Sequence, residues 1–125
     1  RAEESSALPE SQADEAESCG AFGWLRGGRD RALMLELRKK NGNVTAVGYA
    51  WLHEAEFDPS KGIILAFGTR RVALMGRNLN AEVQSNVRLF QALLRHRVSF
   101  VQEATEATLM SAGEGEPVIE RIDWL

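Results

Sequence analysis

The sequence contains very little cysteine and no long apolar segment. Cys19 is the single cysteine among 125 residues, which excludes an intramolecular disulfide and a cysteine-ligated metal cluster. No apolar run approaches the ~20 residues that a membrane-spanning helix needs. Sparing use of cysteine is typical of a reducing compartment, so we expect a soluble, cytoplasmic protein that does not bind membranes.

Length and composition indicate one globular domain, but charge is distributed unevenly along the chain. Residues 1–18 hold six acidic side chains against one arginine, and Leu8 is their single large apolar residue. So few apolar groups cannot offset the conformational entropy lost on ordering, roughly 1–2 kcal/mol per residue. The sequence therefore predicts a disordered acidic leader over 1–20 and a single α+β domain over 21–125.

Alternation of apolar and polar residues predicts four consecutive strands in the first part of the domain. Asn41-Gly42 between the first two is a strong hairpin signal. Gly48 indicates a bend or bulge within the second. The predicted strands cover residues 33–38, 44–57, 63–67 and 71–75.

The apolar spacing then changes to that of a helix. Apolar residues recur every three or four positions and predict one long helix: Leu79, Val83, Val87, Phe90 and Leu94. Two further strands are predicted over 98–101 and 118–125. The expected architecture is a curved, mainly antiparallel sheet with the helix packed across its apolar face, and a partly closed barrel is the alternative.

A short acidic segment is a candidate metal site. Glu54, Glu56 and Asp58 alternate along the second predicted strand, so their carboxylates would share one face. Carboxylate oxygens are the ligands of hard divalent cations. The alternative is a solvated strand end before a turn. The sequence indicates no other cofactor and no catalytic residues, since the partners of a catalytic triad become neighbours only in the fold.

The folded body is basic, with thirteen lysines and arginines against six acids over residues 26–97. Six arginines in a turn and along the predicted helix are a candidate nucleic-acid surface: Arg70, Arg71, Arg77, Arg88, Arg95 and Arg97. Tyr49 and Trp51 would add stacking groups. The alternatives are scattered surface arginines and aromatic core residues, and the sequence pI of about 5.4 is low for a nucleic-acid-binding domain.

Four segments resemble a group of small, uncharacterised bacterial proteins. Their sequences are FGWLRG at 22–27, FDPS at 57–60, GRNLN at 76–80 and RHRV at 95–98. This resemblance spans most of residues 20–125. It implies a bacterial, cytoplasmic protein and no particular activity.

The leading functional hypothesis is a non-enzymatic module that binds another protein or a copy of itself. No assembled catalytic pattern is visible, and the edges of a mainly antiparallel sheet must be covered or protected. Nucleic-acid binding through the six arginines is the alternative. An enzyme is a third hypothesis, because a site built from distant residues leaves no local pattern.

Overall fold

A computed structural model describes residues 16–27 and 29–125. In chain order the strands are β1 (Ala16–Ser18), β2 (Phe22–Leu25), β3 (Met34–Arg38), β4 (Val44–Gly48), β5 (Leu52–Asp58), β6 (Gly62–Phe67), β7 (Arg70–Arg77), β8 (Glu82–Gln84), β9 (Val87–Arg88), β10 (Val98–Gln102) and β11 (Val118–Trp124). A 3₁₀-helix (Tyr49–Trp51) and the helices α1 (Leu89–Leu94) and α2 (Glu106–Ser111) complete the described elements.

The strands form two larger sheets and one hairpin. The first sheet has the order β1-β2-β10-β3-β4, the second has the order β11-β7-β6-β5, and β8 pairs with β9. Every pairing is antiparallel except that of β10 with β3. The expected α+β class with mainly antiparallel strands is confirmed. Within the described residues the two larger sheets meet at a parallel bridge between Glu103 and Ile119 but do not close into a barrel.

The hairpin predicted at Asn41-Gly42 is present. The Lys39 N–H donates to the Asn43 carbonyl over 2.8 Å, and the Gly42 N–H donates back to the Lys39 carbonyl. Gly42 has a φ of +95°, a conformation that glycine adopts without a steric penalty. The local turn chemistry therefore determines how β3 and β4 pair.

The predicted strand over 44–57 is wrong at its centre, where the 3₁₀-helix separates β4 from β5. The two halves belong to different sheets, so the chain must change direction between them. The short helix turns the Tyr49 side chain into the core and leaves the Trp51 side chain 67% exposed. A strict two-residue alternation would have placed both aromatic residues on one face.

The prediction of one long helix is also wrong. Its first half is the β8–β9 hairpin, and α1 begins only at Leu89. Asn86 has a φ of +64° in the hairpin turn, and its N–H donates to the Glu82 carboxylate over 2.8 Å. The helical stripe predicted a buried Leu94, whereas the buried leucines of α1 are Leu89 and Leu93.

The predicted leader is too long at its C-terminal end. Ala16–Ser18 pair with β2 in the first sheet. The predicted disorder of residues 1–15 falls outside the residues that the structure describes. Two described elements, β2 and α2, were not predicted.

The core lies between the two sheets and α1. Its largest fully buried side chains come from both sheets and the helix: Phe22, Leu35, Leu37, Ile63, Leu65, Leu74, Leu89, Leu93, Ile119 and Ile122. Tyr49 is buried with them. Its hydroxyl donates to the Val98 carbonyl over 2.7 Å, and its ring stacks on His96 at 4.5 Å. Burial raises the pKa of Tyr49 above its ordinary range, so the phenol stays protonated and remains a donor.

We expect Tyr49→Phe to lower the free energy of unfolding by about 1–2 kcal/mol. The substitution keeps the ring and leaves the buried Val98 carbonyl without its hydroxyl donor. Trp51→Phe, at an exposed neighbouring position, should change stability by less than about 0.5 kcal/mol. Urea denaturation of both variants measures the difference. Equal losses would show that the hydroxyl contributes nothing beyond the ring.

Candidate functional site

The six candidate arginines do not form one surface. Arg70 and Arg77 lie at opposite ends of β7, about 23 Å apart at the rise of an extended strand. Arg70 stacks on the Trp124 ring at 3.8 Å, and Arg77 contacts the Glu120 carboxylate at 3.5 Å. Arg71 lies at an exposed position beside the acidic face of β5.

The remaining three arginines have different environments. The Arg97 guanidinium donates to the Leu25 carbonyl over 2.8 Å, so it ties the end of α1 to β2. Arg88 donates to the Asn80 carbonyl over 2.9 Å and contacts Glu82. Arg95 is exposed after α1. Because the six charges are dispersed and several are paired, the nucleic-acid hypothesis stays a prediction that this geometry does not strengthen.

The three predicted metal-site carboxylates lie along β5. Glu54, Glu56 and Asp58 share one face of the strand, as predicted. However, no three Asp, Glu, His or Cys side chains of the described residues are placed to hold a metal ion. Hydrogen bonds from the side chain and backbone of Ser60 lower the pKa of Asp58, and its carboxylate caps the turn after β5.

The open edge of β4 is a different kind of site, built from backbone groups. Within the described residues β4 has one neighbour, β3. Lys39 and Asn43 form a hydrogen-bonded pair at the turn. Counting two residues at a time from this pair, Leu37 with Thr45 and Leu35 with Val47 are also hydrogen-bonded pairs. Bonded and non-bonded pairs alternate in an antiparallel ladder. The N–H groups of Val44, Ala46 and Gly48 and the C=O groups of Val44 and Ala46 therefore point away from β3. The Gly48 C=O belongs to the N-cap of the 3₁₀-helix and accepts the first hydrogen bond of that helix.

Charge distinguishes this edge from the other edges of the two larger sheets. The strand β4 has the sequence VTAVG and carries no charge. The other three edge strands all carry charged side chains: Glu17 on β1, Glu54, Glu56 and Asp58 on β5, and Glu120, Arg121 and Asp123 on β11. Charged side chains on an edge strand oppose pairing with another chain. The edge of β4 lacks this protection.

Exposed apolar side chains surround this open edge. Val44 is 54% exposed on the outer face of β4, and Met34 is exposed on the same face of β3, opposite Gly48. Trp51 is the last residue of the 3₁₀-helix that follows β4. Its indole ring lies over Gly48, 3.3 Å from where a Cβ atom would stand, so the ring continues the outer face of the sheet beyond the strand end. We call Met34, Val44, Ala46, Gly48 and Trp51 the β4 edge surface.

The neighbouring outer face adds no net charge to the β4 edge surface. Glu36 and Arg38 on β3 form an ion pair with a distance of 2.8 Å between Nη2 and Oε1. The Arg38 guanidinium also stacks on the Phe100 ring at 3.9 Å from its centroid. The surface beside the edge is therefore polar but carries no net charge.

Sequence reasoning did not identify the β4 edge surface. It assigned Val44 and Trp51 to one continuous strand and left Trp51 as either a surface stacking group or a core residue. The available signal was the uncharged run Val44–Gly48 next to a strand with the charged end HEAEFD, since edge strands differ in this way. Strand order was the missing information.

Comparison with known proteins finds no matching family model, curated protein or solved structure. Among the helices of the described residues, none has the length and apolar character needed to cross a membrane.

Proposed function

We propose that this chain is a protein-interaction module that binds an extended strand along β4. The observation that carries the proposal is the edge of β4, which is uncharged and open among the described residues, where the N–H groups of Val44, Ala46 and Gly48 and the C=O groups of Val44 and Ala46 point outward. Backbone hydrogen bonds to such an edge supply affinity, and alternate side chains of the bound strand supply specificity.

The apolar residues of the β4 edge surface support this function. Trp51 is a large side chain that folding leaves mostly exposed, and it lies at the end of the edge strand. Tryptophan is among the residues that dominate binding energy at protein interfaces, because its ring buries a large apolar area on contact. An extended segment paired with β4 would pass beside this ring.

Peptide selection tests the proposal directly. A displayed library of ten-residue peptides is selected on the full chain, and selected peptides are labelled for fluorescence anisotropy. Ala46→Lys should weaken their binding at least tenfold, because it places a charge on the pairing edge. Ala46→Pro should do the same, because it removes an outward N–H that β3 does not use.

The matched control is Ser85→Lys, which adds the same charge at an exposed turn position between β8 and β9. This variant should bind the selected peptides with unchanged affinity. The thermal midpoint of each variant establishes that the fold is kept. Failure to select any peptide, or equal affinity for all the variants, would contradict binding at β4.

A further inference from the structure

We infer that the strand bound at β4 is β4 of a second copy of this chain, in an antiparallel, two-fold symmetric pairing centred on Ala46. This inference rests on the proposed function, since it names the occupant of the same edge. This pairing would join the five-stranded sheets of the two copies into one continuous sheet of ten strands. Symmetric pairing of identical surfaces is the commonest route to a homodimer.

The backbone geometry selects this register. Outward-pointing groups alternate along β4, so two copies can exchange hydrogen bonds only where outward-pointing residues face each other. Centring the two-fold axis on Ala46 pairs Ala46 with itself and pairs Val44 with Gly48 of the second copy. Every outward-pointing N–H of β4 then has an acceptor, and the Gly48 C=O accepts its bond from Val44 of the second copy in addition to the one within the 3₁₀-helix. A shift by one residue would place them opposite groups that already bond to β3.

The side chains of the outer face complement each other in this register. Val44 lies opposite Gly48 of the second copy, and the indole ring of Trp51 covers that glycine. Residues directly opposite in such a pair have Cα atoms about 5.5 Å apart, so the Val44 side chain would pack against the Trp51 ring of the second copy. The two-fold axis creates this contact twice.

The pairing brings no like charges together at its centre. The nearest charged residue, Glu36, lies one strand away on each side and is paired with Arg38. The two copies of Glu36 would be three strand spacings apart, about 14 Å, which exceeds the screening length at physiological salt. Five strand residues and the adjacent apolar side chains form an interface below about 1,200 Å², the size of weak and transient complexes, so we expect a dimer that dissociates on dilution.

Disulfide trapping tests the register in the full chain carrying Cys19→Ser. Ala46→Cys should form an intermolecular disulfide under mild oxidation, because a Cα separation of about 5.5 Å is within the range that a disulfide spans. Val44→Cys should not, because the two copies of residue 44 would be about 14 Å apart along the paired strands. Non-reducing electrophoresis separates the two results.

Sedimentation over a concentration series measures the association itself. We expect a monomer–dimer equilibrium that Trp51→Ala and Ala46→Lys weaken at least tenfold and that Ser85→Lys leaves unchanged. A chain that stays monomeric while Ala46→Lys abolishes peptide binding would overturn the dimer and leave the proposed function standing. Equal trapping at positions 44 and 46 would overturn this register. A dimer unaffected by Ala46→Lys would place the interface elsewhere, and absence of both dimer and peptide binding would overturn both proposals.

Discussion

Glu103→Ala is expected to lower the free energy of unfolding by about 3–5 kcal/mol. Glu103 is 5% exposed, and its two carboxylate oxygens accept from two different parts of the fold. Oε1 accepts from the Lys40 N–H at the β3–β4 turn, and Oε2 accepts from the Ile122 N–H in β11, each over 2.9 Å. Hydrogen bonds to a charged group contribute roughly 1.5–3 kcal/mol each, and truncation leaves both N–H groups without this acceptor.

This side chain connects the two larger sheets. Its own N–H donates to the Arg38 carbonyl of β3, and the next residue, Ala104, donates to the Ile119 carbonyl of β11. The backbone hydrogen bonds of Glu103 and Ala104 and the two bonds of the Glu103 carboxylate together join the two sheets, and we call this set of hydrogen bonds the seam. Because the seam holds the β3–β4 turn, Glu103 also positions the open edge of β4.

Two further variants make the measurement specific. Glu103→Gln keeps the shape but presents one amide NH₂ to a backbone N–H, so we expect about half of the loss. Glu114→Ala removes a carboxylate at an exposed loop position and should change stability by less than about 0.5 kcal/mol. Urea denaturation of the three variants gives the comparison. If Glu103→Gln is as stable as the parent, the two charge-assisted hydrogen bonds do not carry the effect.

The sequence predicted those parts of the fold that depend on neighbouring residues. Alternation located β3 and β11, the apolar run Ile63–Phe67 located β6, and Asn41-Gly42 located the turn after β3, because each depends on a short stretch of chain. The helix prediction failed because a spacing of three and four residues also occurs across a hairpin. Val83 and Val87 lie on β8 and β9 and still contribute apolar surface to the core region.

The candidate site could not be predicted because it depends on strand order. The uncharged residues Val44–Gly48 would be an ordinary central strand if another strand covered them. Among the described residues, the parallel insertion of β10 beside β3, between β2 and β3, leaves β4 at the end of the sheet. The structural role of Glu103 could not be predicted from the sequence either, since its hydrogen-bond partners are 63 and 19 residues away along the chain.

The second large effect is expected for Gly62→Ala, at the first position of β6. Gly62 has a φ of +112°, which side-chain-bearing residues rarely adopt. A Cβ atom there would also stand closer than 3.0 Å to the Leu74 carbonyl oxygen of the adjacent strand β7. The backbone strain costs about 1–2 kcal/mol and the overpacking about 1–3 kcal/mol, so we expect a total loss of about 2–5 kcal/mol.

Gly42→Ala separates these two causes. Gly42 has a similar φ of +95°, but a Cβ atom there would have no neighbour within 4 Å. We therefore expect this variant to lose only the strain contribution, about 1–2 kcal/mol. Urea denaturation of both variants measures the difference between them, which is the cost of forcing β6 away from β7 at its first residue. Equal losses would show that β7 yields without cost, and the close approach of Gly62 to Leu74 would then not be a constraint on the second sheet.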